Sequence, residues 1–106
     1  MGFSVKTEIY EKYTQLTVEG ALDSSTAPQF SEEVQKIIPQ HPDTLVLNVE
    51  KLDFMSSAGL RVLIFAKQKL GTSATLFLVK PQEQLVETLK MTGLIFSVNI
   101  VESYPV

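Results

Sequence analysis

Cysteine and tryptophan are both absent from this 106-residue chain. Without cysteine there is no disulfide framework, no thiolate metal site and no thiol nucleophile. A surplus of basic charge is also missing: nine Lys and Arg stand against 12 Asp and Glu, a net charge of −3. The cations are scattered, whereas a nucleic-acid surface needs a basic stripe, so no nucleic-acid partner is expected. Long apolar runs are lacking too. The longest, Val62 to Ala66, falls far short of the roughly 20 residues that cross a bilayer. No secretory signal stands at the start, so the expectation is a cytoplasmic protein without direct membrane insertion.

Catalytic machinery is equally sparse. His41 is the one histidine and sits in a His-Pro step, away from any triad partner. No glycine-rich phosphate loop occurs, and the acidic residues are too dispersed for a metal constellation. The chain is therefore expected to be no enzyme and to carry no cofactor and no metal.

What is present suffices for one domain over residues 1–106, with 44% hydrophobic and 20% charged residues. Phe3 to Tyr10 alternates, with Phe3, Val5 and Ile9 on one face, and Tyr13 to Glu19 alternates through Leu16 and Val18. The spacing predicts two half-buried strands joined as a hairpin across Glu11 and Lys12. Thr26-Ala-Pro-Gln29 has the form of a capping box, followed by a helical face of Phe30, Val34, Ile37 and Ile38 that Pro39 and Pro42 end.

Thr44 to Val49 is nearly all apolar, the pattern of a central strand covered on both sides. A helix then opens at Ser56 or Ser57 and runs to Leu70, with Gly71 as terminator. Ala74 to Val79 is a further strand, and Gln82 to Thr92 a short helix with a Schellman ending at Gly93 and Leu94. Phe96, Val98 and Ile100 read as a last strand. The order is ββαβαβαβ. Such alternation predicts an α/β fold, a mixed and mostly parallel sheet of about five strands with helices packed against it.

The informative stretch is Asp53-Phe-Met-Ser-Ser-Ala-Gly-Leu60, between a buried strand and a helix. In open α/β sheets the carboxyl ends of strands face the functional rim. A helix start needs one capping hydroxyl, and two are supplied. Leu60 and Ile64 lie off the main apolar stripe of the helix. They either pack on a neighbouring helix or form a small exposed patch beside the serines.

Phe54-Met-Ser-Ser-Ala-Gly-Leu-Arg-Val-Leu63 resembles the signature of STAS domains, named for sulfate transporters and anti-sigma-factor antagonists. In that family a strand runs into a helix through this motif, and the serine two residues before the glycine is phosphorylated. Aligned on Gly59 and Leu60, that serine is Ser57. Gly20-Ala-Leu-Asp23-Ser24 resembles the family's Gly-x-Leu-Asp turn beside the phosphorylation loop. Element order and length agree, so the resemblance covers essentially the whole chain. One departure is Ser56, where many phosphorylated members have Asp; it leaves Ser56 as the alternative acceptor.

The resemblance implies an anti-sigma-factor antagonist of the partner-switching kind, which regulates sigma-factor-dependent transcription. Its partners would be an anti-sigma factor with serine kinase activity and a serine phosphatase. Phosphorylation at Ser57 would switch it off. Asp23, Ser24, Met55, Ser56, Ala58, Gly59, Leu60 and Ile64 are the expected partner-binding residues. The same fold also serves phosphorylation-independent adaptors, such as signalling scaffolds and cytosolic partners of lipid-transport ATPases.

Overall fold

A computed structural model of the chain describes residues 2–104. Two alternating segments form the hairpin: β1 (Ser4–Ile9) pairs antiparallel with β2 (Thr14–Leu22), from Ser4 opposite Glu19 to Ile9 opposite Thr14. The turn closes with the Tyr10 N–H donating to the Tyr13 carbonyl at 2.8 Å. Helix α1 (Ala27–Ile37) follows and buries Phe30, Val34 and Ile37 of the expected stripe; Ile38, only partly buried, opens the 3-10 turn Ile38–Gln40 that ends it.

Strands β3 (Thr44–Asn48), β5 (Thr75–Val79) and β6 (Asn99–Val101) join by parallel pairing, giving the order β1-β2-β3-β5-β6. Helix α2 (Ser57–Leu70) starts and stops where the sequence indicates, with Gly71 beyond its end at φ 79°. Helix α3 (Glu83–Thr92) ends at a left-handed Gly93, whose N–H reaches the Lys90 carbonyl. Leu94 beyond it is buried, as a helix ending of that kind favours.

The sheet gains one strand that the pattern does not disclose. Strand β4 (Leu52–Met55) pairs parallel with the far end of β2, Leu22 opposite Met55. Because β3 pairs with Thr14 to Thr17 of the same β2, β3 and β4 extend one ladder, broken by Val49, Glu50 and Lys51. The strand count among the described residues is six.

The core is a single cluster. The buried faces of all three helices, including Phe30, Leu63 and Leu89, meet Leu16, Leu45, Leu47, Leu76 and Leu78 of the sheet. Val46 faces the other way and is fully buried outside that cluster. It lies in register between Gln15 and Phe77, and Tyr104 packs on Phe77 while Tyr13 packs on Tyr104, with centroids 4.8 Å apart in each pair. The second side of β3 is therefore backed by an aromatic cluster, so the strand is covered on both sides as its apolar run indicates.

Two further expectations are corrected. Phe96 is not in the last strand: Leu94–Ser97 forms a 3-10 turn, the strand starts at Asn99, and Phe96 is 91% exposed. The alternation of Phe96, Val98 and Ile100 imitates a strand although only Val98 turns inward. Ile9, on the face expected to be buried, is 61% exposed because its strand ends at the sheet edge.

Candidate functional site

The site lies where β2 and β4 end side by side. Leu22 and Met55 are register partners, so Asp23 and Ser56, the next residues, leave the sheet together. The Ser56 N–H donates to the Leu22 carbonyl at 2.8 Å and joins the two exits.

At the α2 exit the two serines divide the work. Ser56 takes the cap position with extended backbone (φ −85°, ψ 175°), and its Oγ accepts from the Gly59 N–H at a long 3.5 Å. Its carbonyl accepts from the Leu60 N–H, which closes the first turn. Ser57 is the first helical residue and is exposed. Among the described residues no hydrogen bond engages its hydroxyl. The first turn holds no acidic side chain, so the partial positive charge of the helix end stays unanswered. Arg61, also exposed, follows Ser57 by four residues on the same helical face.

At the α1 exit every hydroxyl but one is consumed locally. Asp23 Oδ1 accepts from the Ser25 Oγ at 2.6 Å, the Ser25 N–H at 2.9 Å and the Thr26 N–H at 3.2 Å. These bonds, foremost that from the Ser25 hydroxyl, hold its carboxyl below the ordinary carboxylate range. The Thr26 hydroxyl donates to the Ala21 carbonyl and accepts from the Asp23 N–H, so the expected capping box with Gln29 does not form. Turned back onto the preceding turn, that hydroxyl makes no bond to the N–H groups that open α1. Asp23 is thus a turn-forming residue. Ser24 beside it is exposed, with no side-chain hydrogen bond among those described.

Several expected contact residues face inward. Met55 and Leu60 are only 2% and 4% exposed. Ile64 is half-buried against the same core, so of the two alternatives for Leu60 and Ile64, packing is the one adopted. Gly59 is small for an internal reason: a Cβ there would stand 2.6 Å from Leu22 Cγ and 3.1 Å from Met55 Cγ. Only glycine lets α2 settle onto the β2–β4 exits without displacing Leu22. Exposed or half-exposed at this rim are Asp23, Ser24, Ser56, Ser57 and Ala58, joined by Phe54 at 43% exposure.

Gln84 is the residue the sequence does not announce. From α3 its amide accepts from the Met55 N–H at 3.1 Å and donates to the Met55 carbonyl at 3.2 Å. It satisfies the open edge of β4 as a neighbouring strand would, and Thr88 holds the amide in turn at 3.0 Å. Gln82 likewise reaches the Glu50 carbonyl at 3.1 Å. No spacing rule points to either.

The family model for the STAS domain matches residues 4–105. The chain belongs to the STAS domain family. A stretch of 58 residues, 55% of the chain, is 29% identical to the anti-sigma-F factor antagonist RsfB of Mycobacterium tuberculosis. It covers 48% of RsfB, so the match spans about half the length of that relative. The fold agrees with the crystal structure of an anti-sigma factor antagonist from Mycobacterium paratuberculosis. There the TM-score is 0.87 and the identity 21%, over 97% of this chain and 88% of that one. It agrees also with the Bacillus cell fate determinant SpoIIAA in its phosphorylated form. For that pair the TM-score is 0.72 and the identity 20%, covering 94% and 91% of the two chains. This STAS domain places its two serines at the end of β4, and no helix among its described residues is long and apolar enough to cross a membrane.

Proposed function

We propose that this STAS domain is an anti-sigma-factor antagonist, a binding protein without catalysis of its own, switched by phosphorylation of Ser57. The observation that carries the reading is the division between the serines: Ser56 serves the helix, and Ser57 is exposed, with no hydrogen bond to its hydroxyl among the described residues. Two named relatives, RsfB and the Mycobacterium paratuberculosis protein, are anti-sigma-factor antagonists, and SpoIIAA has a phosphorylated form.

A serine hydroxyl is a weak nucleophile, so an anti-sigma factor with kinase activity supplies base, metal and nucleotide. The Ser57 Oγ attacks the γ-phosphorus of ATP, its proton passes to the base of the kinase, and ADP leaves. A phosphoserine carries about −1.5 to −2 charges at pH 7. At the start of α2 the helix end and the Arg61 guanidinium favour that charge, so the fold is preserved. The change falls on the interface: an anti-sigma surface fitted to a neutral hydroxyl meets a dianion it must desolvate. Unmodified protein binds the anti-sigma factor and releases sigma, and a serine phosphatase resets the switch.

Calorimetric titration of the anti-sigma factor with unmodified and phosphorylated protein tests this. The expected result is at least a tenfold loss of affinity on phosphorylation, with Ser57→Ala binding like unmodified protein. Equal affinity for both forms would contradict the switch and favour the phosphorylation-independent adaptor.

A further inference from the structure

The edge strand β1 has a self-complementary face, and we infer that it pairs two copies of this chain into a dimer through a continuous antiparallel sheet. The sheet ends in β1 on one side and β6 on the other. Strand β6 is three residues long, and shortness is one way proteins blunt an edge. Strand β1 has six residues and contains no proline. Its pairing with β2 runs unbroken through all six, so no bulge blunts it.

The hairpin bonding decides which groups are free. The Tyr10 N–H bonds the Tyr13 carbonyl across the hairpin, so Glu8, Lys6 and Ser4, in the same phase, also aim their main chain at β2. The bonds of Gly20 to Lys51 and of Ser56 to Leu22 fix the same phase from the other side of β2. Val5, Thr7 and Ile9 therefore direct their N–H and carbonyl groups outward at the edge. The Thr7 side chain does not block the approach, because its hydroxyl is bound beneath the sheet to Glu33 at 2.8 Å.

A second β1 running antiparallel must pair these outward residues with each other, which leaves three central registers. Centring on residue 6 sets Lys6 against Lys6 of the other copy. Centring on residue 8 sets Glu8 against Glu8. Centring on Thr7 sets Lys6 opposite Glu8 twice, in the non-hydrogen-bonded positions where side chains come closest. It also sets Val5 opposite Ile9 in both directions, covering the 61% exposed Ile9 with an apolar neighbour. About six main-chain hydrogen bonds close the ladder. A lone edge lysine ordinarily repels pairing. Here Glu8, two residues on, answers that charge in one register and in no other. The dimer is isologous, with a twofold axis through Thr7. Its two β2 strands run in opposite senses, so the two Ser57 rims project from opposite borders of the sheet and both stay free.

Sedimentation velocity of the full chain over a concentration series tests the pairing. Wild type is expected to pass from one to two chain masses, and a chain that stays monomeric to about 100 μM overturns the proposal. The single variants Lys6→Glu and Glu8→Lys, both at surface positions and checked for fold by circular dichroism, are expected to dimerise about tenfold or more weakly. Mixing K6E with E8K in equal amounts is expected to restore the dimer, because each acidic edge then faces a basic one. Dimers indifferent to both variants, or a mixture that stays monomeric, overturn this register.

Discussion

The starts of α1 and α2 lie side by side at one rim, and both are rich in hydroxyls, yet they do opposite things. Around α1 the Ser25 and Thr26 hydroxyls close on Asp23 and Ala21 in a knot of short bonds. Around α2 one serine caps at 3.5 Å and the next makes no side-chain bond among the described residues. Counting hydroxyls does not separate the two helix starts; following where each bond goes does. The contrast extends to the supports, since α1 is anchored by its own turn and α2 by remote groups, Gly59 against Leu22 and Gln84 against Met55.

If α2 depends on close packing, Gly59→Ala breaks the contrast most strongly. Alanine gains about 1 kcal/mol of helix propensity. It also drives a methyl into the fully buried Leu22, an overpacking that costs about 1–3 kcal/mol or more. The expected net is a loss of up to about 2 kcal/mol in urea unfolding, and unchanged stability would show that Leu22 yields easily. Gln84→Ala follows, leaving the Met55 main chain without its side-chain partners for a loss of about 1–1.5 kcal/mol.

Smaller effects separate the two serines. Ser56→Ala removes a long cap bond and is expected to cost about 0.5–1 kcal/mol. Ser57→Ala removes no hydrogen bond and should stay within about 0.5 kcal/mol of wild type. A reversal of that order would undo the division of roles.

The α1 knot has its own signature in pH. The Asp23 carboxyl is held below its ordinary value, so its contribution is complete above the unfolded-state pKa and is lost as pH falls through the folded-state value. Asp23→Asn should flatten that acid-side loss in urea midpoints measured from pH 6 down to pH 2, and an unchanged slope would count against the knot.

Much of this was legible from residue pattern. The apolar runs of β3 and β5 sit in the middle of the sheet, and Ser56 and Gly71 bracket α2 as their chemistry dictates. Strand β4 was hidden because four residues are too few for a period, and its partners on β2 lie more than 30 positions away, Gly20 opposite Leu52 and Leu22 opposite Met55. Phe96 misled because its 3-10 turn happened to alternate with a strand. At the site, Ser57 and Asp23 were visible through their motifs. The inward roles of Gly59 and Leu60, the Gln84 clamp and the occupied Thr26 hydroxyl depend on contacts between distant segments, which local spacing cannot encode.

Peptide mapping of phosphate after incubation with the cognate kinase and ATP tests the assignment of Ser57 most directly, using wild type, Ser56→Ala and Ser57→Ala. The expected outcome is one phosphate on residue 57 in the first two and none in the third. Phosphate on Ser56 in wild type, or full modification of Ser57→Ala, would contradict the account.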